Sequence, residues 1–356
     1  MSTTLFDAAK YGDIEVKNRF VMAPMTRSRA DMEGVQPDIA ATYYAQRATA
    51  GLIVTEGVAP CEIGKGYPRI PGLYTAEQVK SWKKITDAVH AKDSKIVAQL
   101  MHTGRIGHPD NLKGQTPVSA SEVKAAGQMM TLEGTKDHPV PRELSPDEIK
   151  LMIANHKQAT EMAFEAGFDG VELHGTSGYL TAQFLAKNVN HRTDEYGGSL
   201  QNRARFMLET LDTIISVNGS GRVGIKLGPV FPFNDVDISD AEEVYTYLVE
   251  QLNSRNLAYL EILDTSAMLD PKPTWDVTGK MREIYKGNFI ANGGYDKARA
   301  TQALVEEKAD AVSFGNLYLA NPDLPQRFAQ DAPFNEPDKS TYYQGEEKGY
   351  IDYPTL

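Results

Sequence analysis

Short apolar runs recur along the chain at 19–26, 52–58, 95–102, 170–175, 223–229, 259–265, 288–294 and 311–316. Most are apolar almost throughout, the pattern of strands covered on both faces rather than of a half-exposed sheet. Segments with helical periodicity separate them, at 38–50, 76–91, 145–166, 200–217, 240–254 and 296–308. The third opens on Ser145, Pro146 and Glu148, a capping box with proline at the first helical position, and Gly167 follows where a glycine stop belongs. Eight strand–helix units in even succession predict an α/β fold. A single closed (β/α)8 barrel of the TIM type, spanning 1–356, fits that count better than an open doubly wound sheet. Polar residues or glycines sit at most strand ends: Thr26, Gly57, Gln99, His174, Lys226, Gly294 and Gly315. In a barrel these ends converge on one face, where active sites are built. Two stretches stand outside the repeat. Residues 103–144, after the third strand, predict a long excursion capping the barrel mouth, and 331–356, rich in tyrosine and proline, predict a surface tail.

Composition narrows the function. With 41% apolar residues among 356, the chain can build one large core without staples. The lone cysteine, Cys61, excludes an intramolecular disulfide and a cysteine metal cluster and reads as a buried thiol. No histidine pair has zinc-site spacing on a helix, so no metal is expected. A formal charge of −11, spread without long runs, argues against nucleic acid or anionic membranes as partners. Residues 1–13 lack a signal-peptide pattern and no apolar run approaches a bilayer span, which predicts a cytoplasmic protein. Gly219, Gly221 and Gly224 match a dinucleotide-binding spacing, but a helix precedes them and a strand follows, so the match reads as a turn.

The richest chemistry lies at 171–206, where His174, Ser177 and Tyr179 follow the fourth strand within six residues. A turn there could aim all three into one cavity. Histidine and serine can donate hydrogen bonds to a carbonyl or nitro oxygen, and tyrosine can give and retake a proton. The set suits a reaction that builds negative charge on an oxygen and protonates a neighbouring carbon. On residue chemistry alone, a polar barrel end with a stacked tyrosine explains the pattern equally well.

The same stretch resembles the signature of the Old Yellow Enzyme family, in which the strand-four histidine is followed by Gly-Tyr-Leu, Gln-Phe-Leu and Arg-Thr-Asp-Glu-Tyr-Gly-Gly-Ser, here from His174 to Ser199. Further matches run the length of the chain: Asn18-Arg19 with Ala23 to Thr26, Gln99 with His102 to Arg105, Gly293-Gly294-Tyr295, Ala320 to Leu324 and Asp352-Tyr353-Pro354. The resemblance implies FMN at the strands' C-terminal ends. Ala23, Pro24, Met25 and Thr26 would line it, with Thr26 near the flavin O4. Gly57 would allow close backbone approach, Gln99 would contact the pyrimidine edge, and Lys226 would lie near N1 and O2. Gly293, Gly294, Gly315 and Asn316 would surround the phosphate. It also implies a two-step shuttle. NADPH or NADH gives a hydride to flavin N5 and leaves. An activated alkene then takes the hydride at its β-carbon and a proton from Tyr179 at its α-carbon, while His174 and Ser177 grip its electron-withdrawing oxygen. The partners implied are small electrophilic alkenes or nitro compounds, and the protein would be a monomer or homodimer.

Three residues depart from the family pattern. Ser177 stands where asparagine or histidine is usual, Lys226 where arginine is usual, and Asn316 where many members place arginine. The shorter hydroxyl weakens the second oxygen donor, the lysine keeps charge but loses the planar fork, and the amide brings no charge to the phosphate. Weaker FMN retention is therefore expected. Met101 replaces a common bulky aromatic and predicts a roomier pocket, with Tyr67 and Trp275 as further candidates for the substrate wall. An ene-reductase is the leading reading; a nitrate-ester or nitroaromatic reductase, and a binding barrel without hydride chemistry, are the alternatives.

Overall fold

The apolar runs resolve into strands with an inside and an outside. The computed structural model describes residues 3–356. Its barrel strands are β1 (Phe20–Met22), β2 (Leu52–Val58), β3 (Lys95–Leu100), β4 (Gly170–Gly175), β5 (Val223–Leu227), β6 (Tyr259–Leu263), β7 (Phe289–Asn292) and β8 (Ala311–Phe314). Neighbours pair in parallel, and β8 pairs with β1, which closes the eight-stranded barrel. Each strand lies within a predicted run. The first run was expected to continue to 26, but β1 ends at Met22. Ala23 makes the last ladder bond, to the Phe314 carbonyl at 3.0 Å, and Pro24 has no N–H to continue it.

Because successive strand residues point to opposite faces, the outward set, such as Phe20, Ile53, Ala98, Leu173, Ile225 and Leu260, packs against the helices in one large cluster. The inward set divides by height. Val21, Leu52, Val54, Val97, Tyr259, Ile290 and Ala311 fill the lower barrel together with Tyr11, Ile14 and Val16. The last three come from an antiparallel hairpin, Ala9–Tyr11 with Ile14–Val16, which plugs the barrel floor. Its turn is tied by the Asp13 N–H to the Gly221 carbonyl at 2.7 Å, just ahead of β5. The glycine-spaced stretch 219–224 therefore serves as a turn and as the seat of the plug. At about 1.5–3 kcal/mol for each fully buried large aliphatic side chain, this lower layer is a major source of stability.

The helices follow the predicted periodicity: Ile39–Gln46, Ala76–His90, Pro146–Glu165, Leu200–Asn218, Ala241–Leu252 and Lys297–Val305. The Ser145–Glu148 capping box forms as expected, and Gly167 and Phe168 close that helix by donating to Phe164 and Ala163. A second box, Thr75 with Gln78, starts Ala76–His90. Four shorter helices were not anticipated: Leu180–Leu185, Val277–Ile284, Asn316–Ala320 and Leu324–Gln330. Among the described residues no helix is long and apolar enough to cross a membrane. Cys61 is half-buried, and burial of its thiol pushes the pKa up to about 12.

The excursion at 103–144 carries a hairpin, Gln128–Thr131 with Gly134–Asp137, and a short parallel pair, Val118–Ser119 with Arg142–Glu143. It is pinned by Arg105, whose buried guanidinium donates to the carbonyls of Val123, Asn234 and Asp235. The tail is more than a surface wrap. Tyr350 is fully buried and stacks on Tyr43 with centroids 4.1 Å apart. Three buried arginines hold the tail by its carbonyls: Arg27 at Tyr342 and Gly349, Arg29 at Thr341, Tyr342 and Gln344, and Arg47 at Tyr350.

Candidate active site

Above the apolar layer the inward positions turn polar. Gln99 on β3 donates from Nε2 to Glu172 on β4 at 2.7 Å, and Lys226 on β5 donates to Glu261 on β6 at 2.7 Å. Asn292 on β7 donates to the Ser313 hydroxyl on β8 at 3.0 Å. These pairs are lateral neighbours in the sheet, so the ladder register itself brings them together. All six side chains are buried.

This polar layer floors a cavity of about 500 Å³ at the strands' C-terminal ends. Ala23, Pro24, Met25, Thr26, Gly57, Gln99, Met101 and Lys226 line one side and the floor. Gly293, Gly294, Gly315 and Asn316 line the end formed by the loops after β7 and β8, and His174, Ser177 and Tyr179 line the wall after β4. Gln99 spends one amide N–H on Glu172, leaving the other N–H and its carbonyl oxygen, and Lys226 keeps two N–H groups beyond its bond to Glu261.

The wall is set by a tight turn. Ser177 takes φ +57° and Gly178 φ +66°, and a side chain on Gly178 would collide with the Phe233 carbonyl. Asn234 fixes the turn by donating to the Ser177 carbonyl at 2.8 Å. The turn brings the Tyr179 and His174 rings to 5.1 Å between centroids. The Thr176 N–H donates to His174 Nδ1 at 3.4 Å, so in the neutral ring the proton sits on Nε2. Burial and then the nearby Lys226 charge hold the His174 pKa down at about 3, which keeps it neutral across ordinary pH. Burial and then Tyr67 raise the Tyr179 phenol well above its ordinary value, so it stays protonated. A neutral N–H donor and a phenolic O–H therefore share one wall, able to bind an oxygen and release a proton.

The two expected wall residues differ. Tyr67 packs against Met101 and Tyr179, both of which line the cavity, and meets Tyr179 hydroxyl to hydroxyl at 3.2 Å. Trp275 does not line the cavity: its ring packs on the outer core and lies 5.9 Å from the Lys280 ammonium. It belongs to the segment that leads into the helix at Val277, with Asp276 as its N-cap.

Several lining residues escaped sequence reasoning. Arg299 reaches the glycine end, where its Nη1 donates to the Gly294 carbonyl at 2.7 Å and its guanidinium lies 4.6 Å from the Tyr295 ring. Beside it the expected Asn316 accepts from the Tyr342 hydroxyl at 3.4 Å, which leaves its amide N–H₂ to donate. Asp264, Thr265 and Met268 add a side after β6.

The groups present fit FMN. A side chain on Gly315 would meet nothing nearer than Met25 Sδ at 3.8 Å, and one on Gly294 nothing nearer than Arg299 at 3.9 Å, so glycine backbone is open to an anion at one end. Unspent acceptor and cationic groups at the floor suit the polar edge of a flat heterocycle.

Comparison with known proteins places the chain. The model of the NADH:flavin oxidoreductase / NADH oxidase family matches residues 4–335. The putative 12-oxophytodienoate reductase 5 of Oryza sativa subsp. japonica is 42% identical over 351 residues, covering 97% of this chain and 92% of that protein. Among solved structures, morphinone reductase superposes with a TM-score of 0.95 at 40% identity, covering 100% of this chain and 97% of that one. The Old Yellow Enzyme homologue from Zymomonas mobilis gives 0.96 at 36%, covering 99% and 100%.

Proposed function

Because this chain belongs to the NADH:flavin oxidoreductase / NADH oxidase family, with the Old Yellow Enzymes, we propose that it is an FMN-dependent ene-reductase that uses NADPH or NADH to reduce alkenes conjugated to a carbonyl or nitro group, with Tyr179 as the proton donor. Enones, enals, maleimides and nitroalkenes are the substrate classes. The names of two relatives, reductases of 12-oxophytodienoate and of morphinone, support small organic substrates. Bound FMN supplies the hydride store, charged by the nicotinamide and discharged to the alkene.

The chain's own residues then have distinct tasks. His174 donates from Nε2 to the substrate's electron-withdrawing oxygen, and Ser177 offers a shorter second donor. Holding that oxygen draws electron density from the alkene and stabilises the charge that develops there. Tyr179 protonates the α-carbon, a role supported by its protonated state and its place beside His174. Lys226 supplies a compact cation at the floor. Thr26, Gly57 and Gln99 seat the ring system, while Asn316, Arg299 and the backbone of Gly293, Gly294 and Gly315 hold the phosphate. The observation that carries this reading is the convergence of a neutral imidazole donor and a phenol over a floor of Gln99 and Lys226.

Stopped-flow measurement of the two half-reactions tests it. Tyr179→Phe is expected to slow reoxidation by 2-cyclohexenone by about 10²–10⁴-fold, the usual contribution of a positioned acid, and to leave reduction by NADPH nearly unchanged. Equal slowing of both halves would remove Tyr179 from proton delivery.

A further inference from the structure

The polar floor holds more carboxylate than it needs to seat a ring. Glu172, Lys226 and Glu261 face the same interior, with two acids for one base. Both glutamates are fully buried; Glu261 Oε2 has no hydrogen-bond partner among the described residues, while the Tyr259 hydroxyl faces the Glu172 carboxyl. The register explains how they meet. Glu172, Gly224 and Tyr259 occupy one row across β4, β5 and β6. A side chain at Gly224 would collide with the Tyr259 ring, so the glycine lets that ring cross towards Glu172. Glu172 is thus faced by Gln99 from β3, Lys226 from β5, and Tyr259 and Glu261 from β6. His174, two residues along its own strand, is neutral. With both glutamates ionised, the sealed cluster would carry one uncompensated negative charge, which a low-dielectric interior disfavours.

We propose that Glu172 is a redox-linked proton site: when the flavin above Gln99 and Lys226 is reduced, Glu172 takes up one proton and offsets the negative charge gained by the ring. The proposal rests on the FMN seat described under Proposed function. Two electrons and one proton reach the ring as the nicotinamide's hydride. A second proton, drawn from water, forms an O–H bond on the Glu172 carboxyl, which the Tyr259 hydroxyl faces. Gln99 keeps its bond to Oε1 in either state and positions the carboxyl under the ring.

Burial first, and then the Glu261 carboxylate, raise the Glu172 pKa, with Lys226, Gln99 and Tyr259 pulling it back. The negative charge gained by a reduced ring raises it further. Below the first value the group is protonated in both redox states, between the two values reduction draws in a proton, and above the second it is ionised in both.

Potentiometric titration of the holoenzyme between about pH 6 and about pH 10 reads this directly. The wild-type midpoint is expected to fall with pH along a one-proton line and to steepen, by up to twofold, over the window between the two Glu172 pKa values. Glu172→Gln is expected to remove the break and Glu172→Asp to retain one. As a count independent of any variant, reduction in weakly buffered dye solution within that window is expected to consume up to one proton more than the ring itself takes. An unbroken line and no added proton in FMN-loaded wild type would overturn the proposal alone. A break that persists in Glu172→Gln would assign the proton elsewhere and overturn it too. A chain that retains no FMN would overturn the seat and the proposal together.

Discussion

Val97 and Gln99 point into the barrel from the same strand, one pleat apart, and stand in opposite environments. Val97 meets Val54, Tyr259 and the hairpin plug, whereas Gln99 meets Glu172 and the cavity. The division runs around the barrel: Leu52, Ile290 and Ala311 below, Lys226, Asn292 and Ser313 above. Below, the aliphatic side chains gain by leaving water and ask for no partner, and the polar exceptions are the phenols of Tyr11 and Tyr259. Above, each polar group must be matched, because an unmatched buried one costs about 1–3 kcal/mol. The lower half therefore carries stability and the upper half spends some of it on chemistry. The unpartnered Glu261 Oε2 oxygen marks one place where the upper half is left incomplete.

The sharpest way to separate the halves is acid. The apolar lower layer holds no histidine, while the mouth and its supports hold four buried histidines, all with pKa values lowered by burial and three of them far below the usual value. Burial sets His102 at about 3, His156 at about 4 and His174 at about 3. Each folded pKa lies below the unfolded value near 6.5, so in that window the unfolded chain binds more protons. Stability then falls as pH drops below about 6.5, by up to about 1.4 kcal/mol per pH unit for each histidine. Urea unfolding at pH 7 and pH 5 is expected to differ by roughly 4–6 kcal/mol for the three together, with His156→Gln removing about a third of the loss. A flat profile over that range would show that the mouth opens to protons without unfolding.

Exchanging chemistry across the divide gives a smaller, two-way effect. Val97→Gln puts an amide where no partner exists and is expected to cost about 2–4 kcal/mol, with FMN affinity little changed. Gln99→Val should do the reverse, weakening FMN at least tenfold with a milder loss of stability. Chemical denaturation and flavin-fluorescence titration of both variants check the pair. If Val97→Gln disturbed FMN as much as Gln99→Val, the two layers would not be separate units.

This divide also explains what could be read from the chain. The barrel was legible because covered parallel strands and amphipathic helices each leave a periodic trace, and the cavity lining was legible because strand ends converge. His174, Ser177 and Tyr179 were found together because one short turn carries all three. Glu172 and Glu261 were missed although each is a lone carboxylate inside an apolar strand. Glu172 shares its inward face with His174, two residues on, and that parity was the available signal. Arg299 looks like a solvated cation in the first turn of a helix, and only the loop after β7 turns it to the cavity. Trp275 was misplaced because an aromatic residue in a proline-rich loop has no periodicity to orient it. Arg27, Arg29 and Arg47 left no local trace at all, since the tail carbonyls they hold lie some three hundred residues away.

Arg299 offers the finest test, because it works at the edge of the upper half rather than on its floor. The phosphate end has Asn316, an uncharged donor, where many relatives place arginine, and Arg299 is the cation that lines it. One guanidinium N–H is committed to the Gly294 carbonyl, which fixes the side chain and leaves other N–H groups free to meet a phosphate. An exposed charge of this kind is worth about 1–1.5 kcal/mol, so Arg299→Ala is expected to weaken FMN about tenfold. Riboflavin, which has the ring but no phosphate, should bind both proteins alike. Asn316→Arg should restore most of the loss by supplying the charge from the neighbouring loop. Equal weakening of FMN and riboflavin in Arg299→Ala would instead mean that the residue merely shapes the loop after β7, and the phosphate would then be held by glycine backbone and Asn316.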